Sequence, residues 1–144
     1  EEALRELNIS DEIQKGHRWT HRYKFFAYYQ MGQEDEAFKS LLETLSYYPR
    51  YDLEAAEQIF QESGLNAVLK WKVENDIDTA QDGLYYGIAN DLAMLGKIEE
   101  ALTWLEKAFQ LHRINVAMLY NIHFRSLHDN PRYQAILKGM GLSD

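Results

Sequence analysis

The chain has no cysteine among its 144 residues, so disulfides, thiolate nucleophiles and thiolate metal sites are excluded. Proline occurs only at Pro49 and Pro131, both places where a helix boundary is expected below. No apolar run approaches the roughly 18 to 20 residues that a membrane span requires, and the charged opening EEALREL does not resemble a signal peptide. Positive charge is scarce: 15 Lys and Arg stand against 23 Asp and Glu, a net charge of -8. Nucleic-acid binding draws its strength from neutralising phosphates, so no nucleic acid is expected to bind through this segment. Also missing are the G-x-S-x-G nucleophile elbow, the phosphate loop ending in Gly-Lys-Ser/Thr, the dinucleotide G-x-G-x-x-G and the zinc H-E-x-x-H. The chain is expected to be non-catalytic and to use no cofactor. The compartment is left open, with the cytoplasm as the leading expectation.

The charged fraction of 26% and hydrophobic fraction of 46% are those of a folded globular protein, and the length predicts one domain over residues 1–144. Within it the sequence repeats. Ala3 and Ala37 are 34 residues apart, as are Leu7 and Leu41, while Gly32, Gly64 and Gly96 follow one another at intervals of 32. Ala101 and Leu105 repeat the alanine-leucine pair once more. A period between 20 and 50 residues is the mark of a repeat architecture.

Each unit reads as two helices. The first is aromatic and amphipathic and runs up to the glycine, as in Tyr85, Ile88, Ala89 and Leu92 before Gly96. Past a helix end the backbone often turns to positive φ, which glycine adopts without a Cβ penalty. The second helix starts at an acidic pair, Asp35-Glu36 or Glu99-Glu100, where carboxylates favour the exposed N-H groups of the first turn. The alanine that follows, Ala37 or Ala101, lets two helices approach to about 8 to 10 Å, and Leu41 or Leu105 fills the space one turn on.

These positions resemble the tetratricopeptide repeat, a pattern of aromatic, small and bulky residues over about 34 positions. Tyr28, Ala37, Leu41 and Pro49 match it in one unit, and Tyr85, Ala89, Leu92, Ala101, Leu105 and Ala108 match it in another. His21 and Lys24 depart from it, and the middle unit has Leu69 where alanine is expected and lacks a proline stop. The similarity covers roughly residues 18 to 112. It implies an all-α solenoid of antiparallel helix pairs: 1–16 as the second helix of a truncated repeat, 17–49, a degenerate 50–81, 82–113, and a C-terminal cap over 114–144. Asn130-Pro131 predicts the start of a capping helix with Tyr133, Ile136, Leu137 and Met140 on its apolar face. Because EEALREL aligns with the second half of a repeat, the chain is expected to begin partway through a longer polypeptide. Its closing stretch HDNPRYQAILKGMGL is similar to the ends of repeat arrays in bacterial multidomain regulators.

Two clusters invite a metal reading. Glu74, Asp76, Asp78 and Asp82 crowd four carboxylates into nine residues, but Ala80, Gln81 and Gly87 stand where a calcium loop needs a ligand, a glycine and a glutamate. A solvated acidic linker is the expectation. His17 and His21 share a helical spacing without a third ligand in view, so no metal is assigned.

Lys15, Arg18 and Arg22 beside Trp19, Phe26 and Tyr29 form a basic, aromatic stripe on an acidic protein. The family resemblance implies a concave groove lined by first helices. By spacing this places Trp19, Arg22, Phe26, Tyr29 and Gln30, then Glu54, Gln58 and Gln61, then Tyr86, Asn90 and Met94 along it. The expected partner is a protein or peptide segment, as for a regulatory scaffold. Small-ligand sensing or homodimerisation through the stripe from Trp19 to Tyr29 is the alternative.

Overall fold

The computed structural model describes residues 2, 3, 5, 18–79, 81–114 and 122–142, apart from the side chains of Arg18, Trp19 and Asp82. Expectations for Lys15, His17, the truncated repeat over 1–16 and the side chain of Trp19 therefore lie outside the described residues, although Glu2, Ala3 and Arg5 are helical. Every described element is a helix: α1 (Arg18–Gln30), α2 (Glu34–Leu45), α3 (Leu53–Ser63), α4 (Leu65–Thr79), a 3-10 turn (Asp82–Leu84), α5 (Tyr85–Met94), α6 (Ile98–Gln110), a second 3-10 segment (Ile122–Leu127) and α7 (Pro131–Gly139). The protein is all-α over these residues, and none of its described helices is long and apolar enough to cross a membrane. The chain divides into two compact units, 1–68 and 69–144, with the division falling inside α4.

In the first unit α1 packs along α2. Gly32 sits between them at φ 72°, as the spacing predicts. Its N-H reaches the carbonyl of Tyr29 at 3.1 Å and that of Gln33 reaches Tyr28 at 3.0 Å, which satisfies two carbonyls the helix end leaves open. Glu34, Asp35 and Glu36 fill the first turn of α2, while Ala37 and Leu41 are buried beneath it with Phe25, Phe38 and Leu45. Phe38 stacks on Phe60 of α3, ring centroids 4.0 Å apart and planes 8° from parallel. Asp52 caps α3 by accepting from the Ala55 N-H at 3.2 Å.

The middle unit departs from its neighbours at Gly64. This residue alone separates α3 from α4, and its φ of 86° and ψ of -176° lie outside the left-handed helical region. Only glycine tolerates that combination, so the glycine is still required, but it makes a different corner from Gly32.

In the second unit α5 and α6 pack as α1 and α2 do. Gly96 takes φ 76°, its N-H and that of Lys97 closing onto Ala93 and Leu92 at 3.0 and 2.9 Å. Ala101 and Leu105 of α6 are fully buried in one core with Ile88, Ala89 and Leu92 of α5 and with Phe124, Leu127, Tyr133 and Ile136, and Ala108 is fully buried as well. The helix α7 begins as its sequence predicts, with Asn130 accepting from the Arg132 N-H at 2.9 Å and Pro131 in the first turn. Arg132 fastens α7 to α6, donating to Glu99 at 2.8 Å, to Thr103 at 3.0 Å and to Glu106. The hydrogen bond to Glu106, outweighing desolvation, and that to Glu99 raise the pKa of this guanidinium above its ordinary value.

The expected acidic linker is instead a helix end. Glu74, Asp76 and Asp78 belong to α4, which runs to Thr79, and Asp76 is 2% exposed. An ammonium one helical turn back explains the difference: Lys72 Nζ lies 3.0 Å from Asp76 Oδ2.

Candidate functional site

No acidic residue occurs from Ile13 to Gln33, and α1 lies within that stretch. Residues four and then three apart share a helical face, so Arg22, Phe26 and Tyr29 form one row about 10 Å long. The Arg22 guanidinium carbon stands 5.5 Å from the centre of the Phe26 ring, within reach of a cation-π interaction. From below, the buried ring of Phe25 meets Phe26 at 5.6 Å and Tyr29 at 5.9 Å, which limits how far either can turn. At the far end the Tyr29 hydroxyl donates to Asn66 Oδ1 at 3.2 Å. Burial, then the negative charge of Glu34, pushes the Tyr29 phenol above its ordinary pKa, so it stays a neutral donor.

Arg22, Phe26 and Tyr29 are each half-buried, and Gln30 beside them is exposed. The structure therefore brings together four of the residues expected on α1. Such a row offers a cation at one end, an aromatic surface in the middle and hydroxyl and amide groups at the other. It suits a carboxylate next to an apolar side chain.

A second aromatic-cation cluster follows α2. The Arg50 guanidinium lies 4.7 Å from the Tyr48 ring and 4.5 Å from the Tyr51 ring, and Nη2 donates to the Tyr51 hydroxyl at 2.8 Å. Nearby in sequence, Tyr47 is exposed and its ring meets that of His21 at 6.4 Å. The run YYPRY was the signal for this cluster.

On α3, Glu54, Gln58 and Gln61 are all exposed, and Gln58 donates to Glu62 at 3.1 Å along the helix. This is a polar, solvated face.

In the second unit Tyr86, Asn90 and Met94 do line one face of α5, but that face is mostly covered. The Tyr86 ring meets Phe124 edge-on at 5.7 Å. Asn90, expected along an open groove, is fully buried, with its amide nitrogen 3.6 Å from the Met94 sulfur and 3.5 Å from Asp91 Oδ1. The segment Ile122–Leu127, whose Phe124 and Leu127 are fully buried, packs over α5. A lone asparagine on an aromatic helix gives no local sign of which element will cover it.

Next to Asn90 lies a group of charges of which only Asp76 stood out in the sequence. Lys72 Nζ is 3.0 Å from Asp76 Oδ2 and 2.6 Å from Asp91 Oδ2, and these carboxylates are 2% and 6% exposed. One ammonium thus bridges two buried carboxylates on α4 and α5. The i, i+4 spacing of Lys72 and Asp76 was legible, but the pairing with Asp91 was not. Among the described residues, no three His, Asp or Glu side chains converge as a metal site would need.

The chain was compared with protein-family models, curated proteins and solved structures, and none of them matches it.

Proposed function

We propose that this protein is a non-catalytic helical-repeat scaffold that binds an acidic peptide or protein segment through α1, as a regulatory module of a larger bacterial protein. Its helix pairs α1–α2 and α5–α6 stack in this reading as tetratricopeptide-like hairpins of a solenoid. The observation that carries the binding role is the row Arg22, Phe26 and Tyr29: a half-exposed cation-aromatic surface on a helix with no acidic residue, in a chain of net charge -8. Shared glycine corners at Gly32 and Gly96, with alanines buried five residues later, support the repeat architecture.

Energetics favour the row over the polar face of α3. An exposed ion pair contributes about 0 to 1 kcal/mol, whereas an aromatic or arginine anchor shielded from water contributes about 2 kcal/mol or more. Arg22 and Phe26 should therefore dominate affinity, with Glu54, Gln58 and Gln61 contributing little.

Fluorescence anisotropy with labelled peptides that pair Asp or Glu with an aromatic or aliphatic residue tests the reading. Binding should weaken with salt and fall about ten-fold or more in Arg22→Ala and in Phe26→Ala. Equal affinity in wild type and both variants would remove the assignment.

A further inference from the structure

The Arg22 row does not stop at Tyr29. The Tyr29 hydroxyl, bonded to Asn66, lies at the corner where α3 turns into α4, since Asn66 is two residues beyond Gly64. Glu34, the first residue of α2, reaches the same corner: its Oε2 stands 3.8 Å from the position a Cβ would take on Gly64. Of the three acids in the first turn of α2, Glu34 is the one whose negative charge acts on the Tyr29 phenol. Glu34 and Asn66 are both exposed. Within the first unit, one surface thus runs from the Arg22 cation over the Phe26 ring to a hydroxyl, an amide carbonyl and a carboxylate.

We propose that this surface takes an extended peptide with an acidic, an apolar and a basic side chain at alternate positions, and that Glu34 is the residue that selects the base. The inference rests on the peptide-binding reading and adds what the far end of the row recognises. Acceptor chemistry argues for a cation there. Tyr29 spends its proton on Asn66, so the phenolic oxygen, Asn66 Oδ1 and the Glu34 carboxylate present lone pairs, which an ammonium or guanidinium can fill. A second acid in that place would meet Glu34 and be repelled.

Spacing argues for alternate positions. Every second side chain of an extended chain points the same way, and residues four apart are separated by about 13 Å. Arg22 and Tyr29 are about 10 Å apart along α1 with Phe26 between them, and Glu34 begins α2 just beyond the end of α1. Acid on Arg22, apolar group on Phe26 and base at Glu34 therefore match the first, third and fifth residues of such a peptide.

NMR titration at low salt tests the inference, with two acetylated and amidated peptides so that no terminal charge intervenes. One carries Glu, Leu and Lys at its first, third and fifth positions, and the other has Gln in place of the Lys. An exposed ion pair is weak, so the native protein should prefer the Lys peptide by about three- to five-fold. Glu34→Gln should bind both alike, and Glu34→Lys should prefer a third peptide with Glu at the fifth position. Asp35→Asn removes a charge from the same helical turn and should leave the preference intact. No preference in the native protein, a preference that survives Glu34→Gln, or one that Asp35→Asn also abolishes would overturn the role of Glu34 while leaving peptide binding in place. Affinity for both peptides that is unchanged in Arg22→Ala and Phe26→Ala would instead remove the reading beneath it.

Discussion

Lys72 Nζ lies 2.6 Å from Asp91 Oδ2, although the two residues are nineteen apart in the chain and belong to different helices. Asp76 approaches the same ammonium from one turn along α4. Charges this deep require pairing, because desolvating an isolated carboxylate costs several kcal/mol even after the protein relaxes.

Lys72→Met should accordingly destabilise the protein by about 3 kcal/mol, by leaving two buried carboxylates without the cation between them. Adding Asp76→Asn and Asp91→Asn to Lys72→Met should recover most of the loss, since the uncompensated charges are then gone. Urea denaturation of the single and triple variants checks both, and equal stability of the two would refute the charge argument.

His112 occupies the left-handed position that glycine holds elsewhere. Its φ is 54°, and the bonds around it repeat those at Gly96: His112 N-H to Phe109 and Arg113 N-H to Ala108, at 3.0 and 2.9 Å. A side chain at positive φ costs about 1 kcal/mol, so His112→Gly should stabilise by about that amount. Gly96→Ala should do the reverse, for a conformational reason alone, because nothing lies within 4 Å of the added Cβ. Thermal melts that moved in the same direction for both variants would contradict this.

Gly139 poses a steric problem instead. A Cβ there would come within 2.6 Å of Phe109 Cζ on α6, although the backbone is helical. Overpacking typically costs about 1 to 3 kcal/mol, which exceeds the gain of about 1 kcal/mol from alanine's helix propensity. Gly139→Ala should be destabilising by about 1 kcal/mol in the native background and stabilising where Phe109 has been cut to Leu. A double-mutant cycle by chemical denaturation measures the change of sign.

Tyr29 should lend the protein a contribution that disappears in alkali. Burial raises its folded pKa, and the unfolded phenol ionises near pH 10. With the folded value the higher, stability is fully present below about pH 10 and is lost as pH rises through the folded pKa. The difference in unfolding free energy between wild type and Tyr29→Phe should be flat from pH 7 to 9 and shrink above about pH 10. A difference independent of pH up to 11 would count against burial as the cause.

Much of the helical layout was readable without coordinates, because helix ends are set by local backbone chemistry. Gly32 and Gly96 take the left-handed corners, and acidic residues fill the first turns of α2 and α6. Asn130-Pro131 begins α7. Gly64 shows the limit: its need for positive φ could be inferred, but not that one residue would form the whole turn. The candidate site divides in the same way. Spacing alone aligned Arg22, Phe26 and Tyr29, whereas the covering of Tyr86 on the α5 face involves Phe124, some forty residues later.

By itself the sequence determined several helix boundaries, at Gly32, at Gly96 and at Asn130-Pro131, since such ends depend on neighbours within about four residues. Only the tertiary structure decided which polar groups left the solvent. Asp76 and Asp78 are the same residue type two positions apart, yet Asp76 is buried on Lys72 while Asp78 is exposed. Burial is a sum over neighbours in space, and Lys72 draws Asp91 into the same cluster from nineteen residues away.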